Sequence, residues 1–490
     1  MAGVLLFFLG IAFFLTSFSY FTLNKKSRDV VLERLQFRRR RTSGASTPPR
    51  SLSPDKKVPE ATSPDYQDVF PPSRREALAD FGNKVSSKTG DQLTRTPDDF
   101  KDKAIPLEKS YKEGSSTHYT PTGFSTDEIK ALGDFPDYAA LSGVPLPAPH
   151  ETFDLDKAVP RPYRPLRWAY HQTMSLTKME PDWWLELDKN YVDRIKQRKE
   201  LFQKHGDCVL DMLPGSELAC KELMEMILQF IAARYPKHFE LDPTRQVFRN
   251  HILNTTSDLA NAEPLHIILD NVPEDFAIML REPDTGLYRF RAGIICSSLG
   301  WNLKSKLGML LHEIHAPIPD YKEKMQFSMD RYFAKKPTDK PIQRGSWGLE
   351  IDAPLYMPPG DPHEVHRSSQ HADLALDRCN LRVDWQTLRR LPLSAGIVFN
   401  FKALFTPVEE FRDEAYIPSL LLKVLKDGKK SMMEYKSTWH VEHVVIPALE
   451  AWEEEQIESG VIEKDWEPHT LAESPFFPGW KEKWDRVQGF

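Results

Sequence analysis

Apolar positions recur along the chain with two periods. Leu303, Leu307, Leu310, Leu311 and Ile314 fall at i, i+4, i+7, i+8 and i+11, one stripe of an α-helix that Pro317 and Pro319 forbid from continuing. This predicts a single helix from about residue 303, with His315 in its last turn on the flank of the stripe and His312 on the opposite face. Leu218, Leu223, Met226, Ile227, Phe230 and Ile231 predict another helix from residue 215 or 216 to 234, stopped by Pro236. A charged helix is expected from about residue 182, pinned by Trp183, Trp184 and Leu187, with Arg194 and Arg198 neighbours on one face. Two further helices, 408–425 and 431–455, meet at Asp427-Gly428.

The second period is two. Residues 274–298 read as strand, turn and strand, with Pro-Asp-Thr-Gly at 283–286 as the turn, and a short strand is expected over 347–351. A second hairpin pairs 379–392 with 396–407 across Pro-Leu-Ser-Ala. Helices, hairpin, helix, hairpin and helices make an antiparallel α+β domain that begins near Phe153. The Pro- and Trp-rich tail after Asp465 is expected to pack as irregular chain.

The first 150 residues follow neither period. Residues 3–23 form an uncharged run rich in Leu, Phe and Ile, long enough at about 1.5 Å per residue to cross a hydrocarbon core of about 30 Å. They are expected to be one N-terminal transmembrane helix, and the basic cluster after it places the rest of the chain in the cytosol. Residues 24–150, basic and then rich in Pro, Ser, Thr and Lys, are expected to be a disordered linker in which 126–132 folds back as a short helix. The expected domains are thus an anchor at 1–23, a linker at 24–150 and a globular body at 151–490.

A net charge of -6 over 490 residues gives no overall electrostatic case for nucleic acid. The four cysteines form no C-x-x-C pair, which argues against a zinc ribbon, a cysteine-held iron–sulfur cluster or a disulfide framework. No GxGxxG, GxxxxGK[ST] or GxSxG is present. A neutral imidazole at a helix end beside an apolar wall, as at His315, suits an axial haem ligand, though on the helix alone a half-buried histidine bonded to backbone is the commoner case. HEIH at 312–315 lacks one residue of the H-E-x-x-H zinc motif. His363, His366 and His371 could ligate a metal, but no cysteine or carboxylate partner has matching spacing, and a solvent-exposed loop is the expected reading.

Four ordered stretches carry a family resemblance: DWWLELDKNYVDRIKQRKEL, PEDFAIML, GWNLKSKLGMLLHEIHAPIPDY and LRVDWQTLRRLPLSAGIVFNFKALFTP. Together they resemble the HRQ family, the haem-dependent oxidative N-demethylases, over roughly residues 160–455. The resemblance implies a PAS-like α+β domain carrying haem b (heme b), which oxidises a small secondary methylamine to a primary amine and formaldehyde with oxygen and external electrons. His315 then matches the axial ligand and Gln386 the glutamine of the family's R-Q-T-L stretch. The arginine before that glutamine is Trp385 here, and the family's Q-E-D-F is Pro273-Glu274-Asp275-Phe276. Losing that cation leaves propionate binding to Arg344, Arg382, Arg389 or Arg390. Tyr321, Asp275 and Arg344 are candidates for delivering protons to bound oxygen, with Gln386 beside them. Glu313 or Asp320 is a candidate to orient the imidazole. With no flavin or iron–sulfur motif in the chain, electrons are expected from a separate reductase. The expected activity is therefore that of a membrane-tethered haem oxidoreductase. The alternatives are a non-catalytic PAS-like haem sensor or carrier and a haem-free scaffold.

Overall fold

The computed structural model describes residues 66–76, 103–170 and 173–489. Seven strands form one antiparallel sheet: β1 (Thr177–Lys178), β2 (Leu210–Met212), β6 (Asp275–Arg281), β7 (Tyr288–Ile294), β8 (Ile342–Ile351), β9 (Cys379–Arg390) and β10 (Ile397–Pro407), in the order β1-β8-β9-β10-β6-β7-β2. The strands β3 (Phe239–Asp242), β4 (Val247–Asn250) and β5 (Thr255–Asp258) form a separate small sheet. The two hairpins read from the two-residue period are β6–β7 and β9–β10.

Alternation along these strands decides what each face does. One face carries Ile342, Leu388, Ile397, Phe399, Ala277 and Met279 into a core shared with the segment that contains His315 and Tyr321. The other buries Val383 and Trp385 under the helices Ile417–Asp427 and Trp439–Glu458, and Ile278, Leu280 and Val398 under Glu217–Arg234 and Pro264–Asn271.

The long helix expected from residue 303 is two short turns, Leu303–Lys306 and Leu311–Ile314. Gly308 breaks it with φ of +87°, a conformation glycine adopts without penalty. Residues 308–310 instead pair with the start of β7, which the short β2 leaves uncovered: the Gly308 amide donates to the Phe290 carbonyl at 2.8 Å, and the Phe290 amide to the Met309 carbonyl at 2.9 Å. A strand edge with unpaired donors and acceptors thus outcompetes the helix. The charged helix starts at Tyr191, not near 182, because Pro181–Trp183 is a separate turn and Trp184 plunges into the core. The tail carries one regular element, the helix Trp480–Gln488.

Residues 103–150, read from composition as linker, pack on the body. The 126–132 helix is present, with a capping box between Ser125 and Glu128. Phe124, Ile129 and Tyr138 enter the main core, and the Tyr138 hydroxyl donates to Glu225 at 2.6 Å. The apolar spacing was there; polar composition around it masked it.

The expectation of a transmembrane helix ahead of the domain requires correction. Among the described residues no helix is long and apolar enough to cross a membrane, and residues 3–23 lie outside the described residues. The single-pass topology with a cytosol-facing body has no support and is carried no further.

Candidate functional site

A cavity of about 470 Å³ opens on the sheet face that bears Phe399 and Met279, within the size range of cofactor sites. Strand register brings four of its wall residues into one row. Arg344 on β8 lies opposite Gln386 on β9, which lies opposite Phe401 on β10, which lies opposite Asp275 on β6. Across the cavity the wall is Leu311, Ile314 and His315.

The short turn Leu311–Ile314 ends on His315 as its C-cap. The His315 Nδ1 lies 2.7 Å from the Leu311 carbonyl. A carbonyl only accepts, so Nδ1 carries the proton and Nε2 keeps its lone pair. Burial pulls the imidazole pKa down to about 4, with Arg344 and Lys306 nearby adding to it, so the ring is neutral at pH 7. Neither Glu313 nor Asp320 orients the ring. Glu313 accepts from the Leu310 amide at 2.6 Å, and Asp320 pairs with Lys324 and Lys429.

The candidate residues separate by position. His315, Arg344, Gln386, Asp275 and Arg382 all line the cavity. Tyr321 stacks on the His315 ring, centroids 5.2 Å apart and planes 12° from parallel, and among the described residues its buried hydroxyl has no partner. Asp275 is saturated: it accepts from Arg198 at 2.5 Å, from the Cys296 and Ser297 amides at 2.9 and 2.7 Å, and from the Ser297 hydroxyl at 2.5 Å. Arg382 is also committed, to Asp384 and to the carbonyls of Pro354, Leu355 and Ser297. Arg389 is three residues from Gln386 and therefore on the other face, where its guanidinium lies 4.1 Å over the Trp184 ring. Arg390 faces the cavity side but is spent on Tyr288 and on the carbonyls of Phe333, Lys336 and Ala395.

Trp385 also points away from the cavity. Its indole N–H donates to Gln343 at 3.1 Å inside the outer core. A tryptophan at this position therefore packs behind the sheet and not at the cavity wall.

Two wall lysines escaped the sequence reading. Burial pushes Lys436 down to about 7, with Arg344 adding to it, and Lys306 to about 8. Lys436 donates to the Trp347 carbonyl at 2.9 Å, and Lys306 lies 4.0 Å over the Trp301 ring. Lys306, Lys436 and Arg344 have no carboxylate partner among the described residues, and the Arg344 Nε is buried without an acceptor. The wall carboxylates, by contrast, are answered: Glu350 by Arg367, Asp384 by Arg382 and Asp275 by Arg198. The wall therefore presents a neutral imidazole and three half-buried basic side chains that have no ion pair among the described residues. In sequence the lysines look like ordinary solvated ones; the adjacent Trp301 was the one available hint.

His363, His366 and His371 lie in and after a 3-10 turn, with His366 Nδ1 and His371 Nε2 3.5 Å apart. Among the described residues no group of three or more His, Cys, Asp or Glu side chains could hold a metal ion. Residues 175–446, more than half of the chain, match the family model described as haem-dependent oxidative N-demethylase, alpha subunit-like, and the chain belongs to that family.

Proposed function

We propose that the chain is a haem-dependent oxidoreductase that removes an N-methyl group from a small secondary methylamine, using oxygen and electrons from a separate reductase. The observation that carries this reading is His315, a neutral imidazole with Nδ1 tied to a main-chain carbonyl, in the wall of a cofactor-sized cavity.

The residues present fit haem b. Its macrocycle supplies four of the iron's ligands, so one protein nitrogen suffices, and His315 Nε2 would provide it. Lys306, Arg344 and Lys436 would hold its carboxylates, which supply the anions these cations lack. Phe290, Ile295 and Phe399 give the apolar wall a flat macrocycle needs. When bound, the haem supplies oxygen activation and electron transfer.

The protein's own groups set the conditions for that chemistry. Tyr321, stacked on the imidazole, fixes the ring plane and excludes water from behind it. Gln386 offers an amide donor and acceptor toward the cavity, where substrate and oxygen must meet. Asp275, saturated by its four hydrogen bonds, holds the 296–297 backbone in place and is a positioning residue in this reading.

The test uses the whole chain purified after haem supplementation, beside His315→Ala. A Soret band that shifts on reduction and is lost or altered in the variant is the expected result. Formaldehyde should then appear from a panel of secondary methylamines supplied with oxygen and a reductase. Folded wild-type protein without a Soret band overturns the haem site. A Soret band without formaldehyde overturns the demethylase and leaves a haem sensor or carrier.

A further inference from the structure

Arg194 and Arg198 share one face of the helix Tyr191–His205 and line a second cavity, of about 300 Å³, separate from the one that His315 lines. Arg198 is 1 % exposed and gives one guanidinium nitrogen to Asp275, while its Nε and Nη2 have no partner among the described residues. The half-buried Arg194 side chain has no ion pair or hydrogen bond among the described residues, its backbone amide donating to Asn190, and Gln197, between the two, has its buried amide oxygen unmatched. Buried donors left unpaired in a native fold call for an acceptor. The carboxylates on this wall do not supply it: Asp188 is bound by Lys402 at 2.8 Å, and Glu410 sits in the field of Arg164 and Lys483.

Charge and shape then narrow the ligand. Arg198 is paired with Asp275, and Arg194, in the field of Asp188, has no ion pair of its own among the described residues, which matches a monoanion. Two guanidinium forks on adjacent turns match the two oxygens of a carboxylate. The rest of the cavity is lined by Leu404, Phe405 and Trp484, which suits an apolar body. We infer that this cavity is a binding site for a small organic monocarboxylate with an apolar body, its carboxylate held by Arg194 and Arg198 and a polar group met by Gln197. The inference does not rest on the haem reading, because the two cavities use different cations.

The probe is 3-phenylpropionate, titrated calorimetrically into the full chain, with inorganic phosphate as a second probe. Wild type should bind 3-phenylpropionate with one site. Arg194→Ala should bind it at least tenfold more weakly, and Arg194→Lys should fall between, since the charge stays and the fork is lost. Gln197→Ala should leave it unchanged, since 3-phenylpropionate carries no donor for the Gln197 amide oxygen. Lys430→Ala, at an exposed residue of neither cavity, should leave the affinity unchanged. Absence of binding to wild type, equal binding by Arg194→Ala, or loss of binding in Lys430→Ala overturns the site. Phosphate binding as tightly as 3-phenylpropionate overturns the ligand class.

Discussion

Lys436 and Arg344 are half-buried basic side chains with no ion pair among the described residues, and this gives their contribution a sign. A carboxylate placed against them gains charge-assisted hydrogen bonds that the empty wall lacks, each worth roughly 1.5–3 kcal/mol. Lys436→Met and Arg344→Met should therefore each weaken haem retention by tenfold or more, measured by transfer of haem to an acceptor protein, while leaving the fold intact. Asp275→Ala should behave differently. It leaves the Arg198 guanidinium buried and unpaired, which costs roughly 3–5 kcal/mol, read as a drop in the urea midpoint whether or not haem is present. His440, 1 % exposed, has a separate effect on pH dependence. Burial, with Arg367 nearby, holds its imidazole at about 4, against about 6.5 in the unfolded chain. As pH falls below 6.5 the unfolded state takes up the proton first, so stability is lost progressively until about pH 4, by an amount on the order of 3 kcal/mol. His440→Leu should flatten the dependence of the urea midpoint on pH across that window; an unchanged slope would remove His440 as its source.

At the scale of elements, the 308–310 segment decides where His315 points. A Cβ on Gly308 would meet only Leu213, at 3.8 Å, so Gly308→Ala suffers from its positive φ and not from a clash. That strain amounts to about 1–2 kcal/mol, measurable as a lowered denaturation midpoint together with a changed Soret band, since the turn that presents His315 follows directly. This same segment marks the boundary of what the sequence discloses. The stripe Leu303, Leu307, Leu310, Leu311 and Ile314 has helical spacing, and nothing local announces that β7 has an edge for residues 308–310 to join. Strand parity was more readable. Two-residue alternation places Gln386 and Arg382 on one face and Trp385 and Arg389 on the other once either face is known to be the core. It excludes Arg389 from the cavity without any coordinates for the side chain. Lys306 and Lys436, 130 positions apart, meet only through the fold, and no short-range pattern could have paired them.

For the whole molecule, residues 103–150 are part of the core. Removing them uncovers the surfaces that Phe124, Ile129 and Tyr138 bury, at roughly 1.5–3 kcal/mol for each large side chain as an upper estimate. A body beginning at residue 151 should therefore unfold at a lower urea concentration than one beginning at residue 103, by several kcal/mol in total. Equal midpoints would show that the segment only decorates the surface. The sheet order has another consequence, one that plays out in time. β1 and β2 come first in sequence yet sit at opposite edges of the sheet, while β9 and β10, at its centre, come last. During synthesis the edges leave the ribosome with no neighbour to join, because the β8 partner of β1 and the β7 partner of β2 are still to come. The β6–β7 hairpin and the small β3–β5 sheet can form from local chain, but the two halves of the large sheet meet only through β10, complete at residue 407. At roughly 5–20 residues per second, the early strands wait many seconds unpaired, and the nascent chain spends that interval exposed to aggregation.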